Sequence, residues 1–263
     1  MTPYVDIRGD GPDLVLLHGW ALHGGMWGPW IDELARHVRL HLVDLPGHGR
    51  SPWPASVHDL AGLAAAVRPL VPDGAALLGW SLGGMVALEL ARGPRPRLAS
   101  LVLVATTPRF VVDTDWEHGM SPELLAEFAR GLAADHRATV QNFLALQTRG
   151  DERSLDTLRL LRRNLDAHGP PDAAALEAGL GILGSADLRE ALPRIAVPAL
   201  VIAGDHDRIT PPGAGLELAA RLPQARLAAI ARSGHAPFLS HGPQVLGEVL
   251  GFLERHLTAE GTA

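Results

Sequence analysis

The sequence contains no cysteine and no lysine, and each absence removes a class of function. Without cysteine, the chain cannot form a disulfide framework or a thiolate metal site. Without lysine, it has no side-chain amine for a Schiff base and no lysine for a P-loop nucleotide site. All 23 basic residues are therefore arginines; 29 acidic residues outnumber them, and the net charge of −6 argues against nucleic-acid binding.

The chain also lacks an apolar run of membrane-spanning length, and its N-terminus has no basic region followed by an apolar stretch. We therefore expect a cytoplasmic protein that does not enter a membrane. Thirteen histidines are present, but none form a cluster with metal-ligand spacing, so we expect no metal and no cofactor. A length of 263 residues with 47% hydrophobic content fits one catalytic domain with an insertion, and we expect a monomer.

The most informative motif is Gly79-Trp80-Ser81-Leu82-Gly83. It follows a short apolar run and precedes a helical one, which is the strand-turn-helix context of a nucleophile elbow, G-x-S-x-G. The tight turn predicts a strained backbone at Ser81, with glycines on either side because larger residues would clash. The following helix would direct free N–H groups towards negative charge near the serine. Ser81 is therefore the candidate nucleophile.

A serine nucleophile needs a base and an orienting carboxylate. In proteins with a nucleophile elbow of this kind, the three residues follow along the chain in the order serine, acid, histidine. His235 follows an apolar run near the C-terminus and is the candidate base. The candidate acid follows the run Ala199–Ala203, where two aspartates lie two positions apart. We expect Asp207 to bind the imidazole, because the loop must turn back across the sheet edge, and Asp205 to cap the turn. Asp205 remains the alternative acid.

The oxyanion hole should come from two backbone amides. One belongs to Leu82, directly after the nucleophile. The other belongs to Trp20, in the loop after the buried strand predicted at Leu14–Leu17. The Trp20 indole would either line an acyl pocket or pack in the core.

Strand and helix signals alternate as far as Leu101–Ala105 and resume at Ala199, which predicts an α/β fold. Between these positions the periodicity is helical, with Ser121 as an N-cap and a further helix over Asp172–Leu183. We interpret this insertion as a lid. The predicted division is a core of residues 1–109, a helical lid of 110–185 and a second core segment of 186–263.

The chain resembles an α/β-hydrolase-fold serine hydrolase over nearly its whole length, with a mostly parallel sheet flanked by helices. Asp44–Ser51 resembles the D-x-P-G-x-G-x-S loop of that superfamily. More narrowly, the chain resembles the BioH family, the pimeloyl-[acyl-carrier protein] methyl ester esterases of biotin synthesis. The matching segments are Leu16–Trp20, Leu40–Gly47, Leu78–Gly84, Phe143–Thr148 and His235–Phe238.

This resemblance implies a carboxylesterase that hydrolyses the methyl ester of pimeloyl-acyl-carrier protein. It also implies that the acyl chain is held by the catalytic and oxyanion residues together with a segment of the insertion. The implied substrate-binding residues are Trp20, Ser81, Leu82, Phe143, Leu144, Ala145, Leu146, Gln147 and His235. A general short-chain esterase, a lactonase, a cofactor-free haloperoxidase or perhydrolase, and a non-catalytic hydrolase-like binding protein remain the alternatives.

A charge pattern in the insertion is consistent with an acidic carrier protein as partner. From Arg137 to Arg163 the chain has six arginines and three acidic residues, an excess of three positive charges in an acidic protein. Such a patch would steer an acidic partner, although it would also suit an ordinary solvated helix face. At Asn142 and Leu155 the family pattern has arginines. The candidate docking residues are Arg149, Arg153, Arg159 and Arg162.

Overall fold

The computed structural model describes residues 2–165 and 167–257 and contains one seven-stranded sheet. The strands are β1 (Val5–Arg8), β2 (Asp13–Leu17), β3 (Arg39–Val43), β4 (Ala76–Trp80), β5 (Ser100–Val104), β6 (Ala199–Gly204) and β7 (Ala225–Ile230). Their order across the sheet is β1-β3-β2-β4-β5-β6-β7. Only β1 pairs antiparallel to its neighbour; the other pairings are parallel.

The central strands are apolar along their whole length because both faces of the sheet are covered. Every residue of β4, β5 and β6 is buried. The helices are α1 (Trp30–Leu34), α2 (Leu60–Val67), α3 (Leu82–Ala91), α4 (Pro122–Ala134), α5 (His136–Gln147), α6 (Ser154–Asn164), α7 (Ala173–Ser185), α8 (Pro212–Arg221), α9 (Pro237–Ser240) and α10 (Gly242–His256). Helices α3, α8 and α10 pack directly against the sheet.

The insertion between β5 and β6 contains the four helices α4 to α7, and no regular strand is found in its described residues. The predicted cap is present, since the Ser121 hydroxyl accepts from the Leu124 amide. Asp172, predicted as the first residue of a helix, is instead the N-cap of α7, and its carboxylate accepts from the amides of Ala174 and Ala175. Residue 166 of this insertion and residues 258–263 of the predicted second core segment lie outside the described residues.

Along the described chain, no helix combines the length and apolar character needed to cross a membrane.

Candidate active site

Ser81 lies in the turn between β4 and α3, at the carboxyl edge of the parallel strands. Its backbone has φ 54° and ψ −119°, a region that non-glycine residues rarely adopt. Two hydrogen bonds hold this conformation: the Ser81 amide donates to the Val104 carbonyl over 3.0 Å, and the Thr106 hydroxyl donates to the Ser81 carbonyl over 2.7 Å. Such strain is typical of a functional turn that raises one side chain above the sheet.

The glycines around Ser81 are required by close backbone approach. A Cβ on Gly79 would lie 2.4 Å from the Gly83 carbonyl oxygen, and a Cβ on Gly83 would lie 2.1 Å from the Leu17 oxygen. A Cβ on Gly84 would meet the Thr106 side chain at 2.5 Å. These distances are too short for any side chain, so α3 can begin this close to β2 only through glycine.

Asp207 and His235 form a buried pair after β6 and β7. The Nδ1 atom of His235 lies 2.8 Å from Oδ2 of Asp207, and both side chains are almost completely enclosed. The same carboxylate accepts the amides of Ile209 and Thr210 at Oδ1 and the Thr210 hydroxyl at Oδ2. Four hydrogen bonds therefore fix the position of this carboxylate, and they leave Nε2 of His235 as the candidate nitrogen for proton transfer.

Contrary to the prediction from the sequence, Asp205 does not cap the turn. Its carboxylate is exposed and lies 4.0 Å from Nε2 of His206, with no capping hydrogen bond to the described residues. The strand β6 ends at Gly204, and the turn that follows leaves Asp205 exposed while it brings Asp207 to His235.

Trp80 joins the loop of the candidate base His235 to the turn of Ser81. Its indole Nε1 donates to the carbonyl oxygen of His235 over 2.8 Å, and the two rings lie 5.8 Å apart. Because Trp80 directly precedes Ser81, this bond ties the base-bearing loop to the turn that holds the serine.

The amides of Trp20 and Leu82 are available as oxyanion donors. Leu82 is the first residue of α3, where the helix dipole favours negative charge. Within residues 2–165 and 167–257, neither amide donates to a protein acceptor. A Cβ on Gly19 would lie only 3.3 Å from Cβ of Ser81, so the loop carrying Trp20 passes close to the serine.

The Trp20 side chain joins the core to the insertion. Its indole Nε1 donates to the Leu176 carbonyl of α7 over 3.0 Å, and its ring meets the Phe143 ring of α5 edge-on at 4.9 Å. A Cβ on Gly179 would lie 2.5 Å from the indole. Trp20 is thus packed between two helices of the insertion directly beside the candidate oxyanion hole.

The segment Phe143–Gln147 lies at the C-terminal end of α5. Phe143, Leu144 and Gln147 are buried, while Ala145 and Leu146 are half-buried. The Gln147 carbonyl accepts the His235 amide over 3.0 Å, and its side-chain oxygen is buried without a partner in the described chain. The segment therefore borders the base.

The arginines of the insertion are mostly unpaired. Among the described residues, no hydrogen bond or ion pair engages the guanidinium groups of Arg149, Arg153 and Arg162, and the same is true of Arg130 and Arg163. Arg159 pairs with Asp156 over 3.1 Å, but both side chains are more than three-quarters exposed. Outside the insertion, most described arginines are paired with acidic groups, so the free positive charge is concentrated on it.

A histidine cluster beside the site has the spacing of a metal site but not its chemistry. Nitrogen and oxygen atoms of His23, Asp44 and His168 lie within 4.8 Å of one another. However, both ring nitrogens of His23 are used by the backbone, through the Gly25 amide and the Asn164 carbonyl. The Asp44 carboxylate already accepts from Arg50 and Gly24. A metal would have to break these bonds, so the residues present do not fit one.

Burial disfavours the charged forms of His18, His23 and His48. It lowers the pKa of His18 to about 3, with the neighbouring His48 adding to the effect. It also lowers the pKa values of His23 and His48. Burial opposes ionisation of Asp44, but hydrogen bonds from Arg50 and Gly24 outweigh it and hold that pKa below its usual value. The Asp44 carboxylate is therefore charged, and its hydrogen bonds to Gly24 and Arg50 connect the loop after β2, which carries Trp20, to the loop after β3.

Sequence reasoning missed Thr210 and Asp151. Asp207 forms an Asx turn with the Ile209 amide two positions on, and Thr210 directly follows that turn, a local pattern that could have identified it. Asp151 bonds to the backbone of the histidine loop 83 positions away, a contact without a local sequence signal.

Comparisons with known proteins agree with this geometry. Residues 12–242 match the model of the alpha/beta hydrolase fold family. The chain is 46% identical over 242 residues to a pimeloyl-[acyl-carrier protein] methyl ester esterase from Xanthomonas campestris pv. campestris, covering 92% of this chain and 95% of the relative. A protein of the same name from Stenotrophomonas maltophilia is 43% identical, with 98% and 99% covered.

A solved esterase from Exiguobacterium antarcticum superimposes with a TM-score of 0.85 at 23% identity, covering 96% of this chain and 95% of that one, which supports the fold alone. The strained serine turn and the buried aspartate–histidine pair occur in a chain with close relatives along almost its full length. The chain therefore belongs to the alpha/beta hydrolase fold family and, within it, to the family of pimeloyl-[acyl-carrier protein] methyl ester esterases.

Proposed function

We propose that this protein is a serine carboxylesterase that hydrolyses the methyl ester of pimeloyl-[acyl-carrier protein], releasing the free carboxylate and methanol. The observation that carries the proposal is the strained Ser81 turn at the same sheet edge as the buried Asp207–His235 pair, in a chain 46% identical to esterases of that name. The geometry supports the reaction class, and the relatives support the substrate.

In the proposed reaction, Ser81 Oγ attacks the ester carbonyl carbon while Nε2 of His235 takes the hydroxyl proton. Asp207 holds the imidazole in the required tautomer and stabilises the imidazolium. The amides of Trp20 and Leu82 donate to the oxyanion, each contributing about 3 kcal/mol. The tetrahedral intermediate collapses as His235 protonates the departing methoxide, so methanol leaves. Water then hydrolyses the acyl-enzyme by the same route.

The acyl chain would extend from Ser81 along the insertion. Trp20 and Phe143 supply an aromatic wall there, and Leu144, Ala145 and Leu146 continue it. Gln147 has a buried side-chain oxygen without a protein partner and would contact a polar group of the substrate. The helices α4 to α7, which lie within residues 110–185, would then act as a lid over the active site, as the sequence predicts.

The carrier protein would dock on the unpaired arginines of the insertion. Arg149, Arg153 and Arg162 have no competing acidic partner in the described residues, which supports attraction of an acidic carrier. Arg159 would have to exchange Asp156 for the carrier. Such attraction acts chiefly on the association rate and weakens as salt is added.

The direct test compares hydrolysis of the carrier-linked methyl ester with that of a free short-chain methyl ester, using the wild type and Ser81→Ala. We expect the wild type to release methanol from both, with the higher kcat/KM for the carrier-linked substrate, and the variant to release none. Equal kcat/KM values would instead favour a general short-chain esterase. Absence of turnover with no fluorophosphonate labelling of Ser81 would favour a binding protein.

A further inference from the structure

The loop that carries His235 is held by the insertion through its main chain. The amide of His235 donates to the carbonyl of Gln147 over 3.0 Å, and the amide of Gly234 donates to Oδ2 of Asp151 over 2.9 Å. Two consecutive N–H groups, those of Gly234 and His235, are therefore satisfied by the end of α5 and the connection that follows it. The amide of Glu152 also donates to the Arg232 carbonyl, which adds a third hydrogen bond between the insertion and this loop.

Asp151 is built to hold this position. Its side chain is buried, and its second carboxylate oxygen accepts the amide of Arg153 over 2.7 Å. Its own amide donates to Thr148 and its carbonyl accepts Ser154, so the residue is fixed in its turn. A buried carboxylate that accepts two main-chain amides has little freedom to move, and the atom it holds is equally restricted.

The His235 loop packs closely against the segment that contains Gln147 and Asp151. A Cβ on Gly234 would lie 2.8 Å from the Gln147 carbonyl oxygen and 3.3 Å from Cβ of Asp151. The imidazole itself is directed by two other groups: Asp207 at Nδ1, and Trp80 at the His235 carbonyl. None of these contacts replaces the acceptor that Asp151 supplies to Gly234.

We propose that Asp151 is a positioning residue for the general base, acting through the Gly234 amide. This rests on the proposed function, since it assigns Asp151 to the site in which His235 acts. Removing the carboxylate would leave the Gly234 amide buried without an acceptor, and it would release one of the two consecutive N–H groups that tie the His235 loop to the insertion. A base displaced by a fraction of an ångström transfers the serine proton less efficiently, so kcat falls while binding of a small ester persists.

The test compares Asp151→Ala with Asp172→Ala, using a short free methyl ester. Asp172 is the matched control because its carboxylate also accepts two main-chain amides in the insertion, at the start of α7, but it does not touch the His235 loop. We expect Asp151→Ala to lower kcat by about 10- to 100-fold with KM changed less than about twofold. The rate of fluorophosphonate labelling at Ser81 should fall in parallel, measured well below each variant's unfolding temperature. Asp172→Ala should keep its kcat.

Asp151→Asn covers the case in which the alanine variant does not fold. The amide keeps one oxygen for Gly234 or Arg153, so we expect a kcat between those of wild type and Asp151→Ala. The downfield proton resonance of the Asp207–His235 hydrogen bond should shift or broaden in this variant and not in Asp172→Ala.

An unchanged kcat in Asp151→Ala, or in Asp151→Asn with an unchanged resonance, would overturn the proposal. An equal loss in Asp172→Ala would also overturn it. Failure of the wild type to turn over esters would instead count against the proposed function.

Discussion

Oδ2 of Asp207 receives two hydrogen bonds, from Nδ1 of His235 over 2.8 Å and from the Thr210 hydroxyl over 2.7 Å. The Thr210 oxygen also lies 3.4 Å from the same imidazole nitrogen. Hydrogen bonds within the turn after β6 thus orient the Asp207 carboxylate towards His235. The Asp205 carboxylate of the same turn is exposed and receives no such hydrogen bonds from the described residues.

The first prediction distinguishes the two aspartates. Asp207→Asn should lower kcat by about 10⁴-fold, because the amide favours the wrong imidazole tautomer. Asp205→Asn should change kcat little, since its carboxylate is exposed. Steady-state hydrolysis of a free methyl ester measures both, with Ser81→Ala and His235→Ala as the inactive references. A larger loss for Asp205→Asn would reverse the assignment of the acid.

The second prediction concerns glycine at the elbow. Gly83→Ala should destabilise the fold by about 3 kcal/mol or more, because its Cβ would overlap the Leu17 oxygen. Gly181→Ala is the matched helical control, since no atom lies within 4 Å of its added Cβ, and it should be neutral or stabilising by up to about 1 kcal/mol. Urea unfolding compares the two. Similar stabilities would mean that the elbow relaxes more easily than its packing indicates.

The third prediction concerns the Trp20 bond to α7. Trp20→Phe keeps the ring beside Phe143 but removes the indole hydrogen bond to the Leu176 carbonyl, so we expect a loss of about 1 kcal/mol in the free energy of unfolding. Trp27→Phe is the control, because Trp27 is equally buried and its indole N–H has no partner in the described residues. Equal losses in the two variants would attribute the effect to ring size alone.

The fourth prediction is a loss of stability in acid. The pKa of His18 is lowered from 6.5 to about 3 by burial, so between these values the unfolded chain binds a proton that the folded chain excludes. The free energy of unfolding should therefore be highest above pH 6.5 and fall as the pH decreases, by up to about 1.4 kcal/mol per pH unit for this proton. His18→Gln should show a shallower decline in urea unfolding between pH 5 and 7. An unchanged slope would assign the proton uptake to other groups, His23 and His48 among them.

The fifth prediction tests the carrier surface. Reversing charge at Arg153 and Arg162 should lower kcat/KM for the carrier-linked ester several-fold to tens-fold, since each exposed contact contributes about 1 kcal/mol or less. A short free ester should be unaffected, and added salt should narrow the difference. Arg255→Glu is the control, as this arginine lies on α10 and also has no partner in the described residues. Equal losses on both substrates would indicate a disturbed insertion.

The candidate nucleophile, acid and base could be proposed from local sequence because the motifs around them are local. Gly79 and Gly83 lie on either side of Ser81 because the backbone segments approach too closely there for any side chain. The order of serine, acid and histidine follows from the connections of a parallel sheet. The helical insertion was predictable in the same way, from its periodicity and the Ser121 N-cap. Monomeric state and cytoplasmic location stay predictions.

The tertiary structure alone decided which groups meet across the chain. Trp20 bonds to a carbonyl 156 positions away, and Asp151 holds the Gly234 amide 83 positions away. Neither contact has a sequence pattern, because each depends on where separately formed helices and loops come to rest. The direction of a side chain in a turn is decided likewise: Asp205 and Asp207 are chemically identical, and packing encloses only Asp207 against His235.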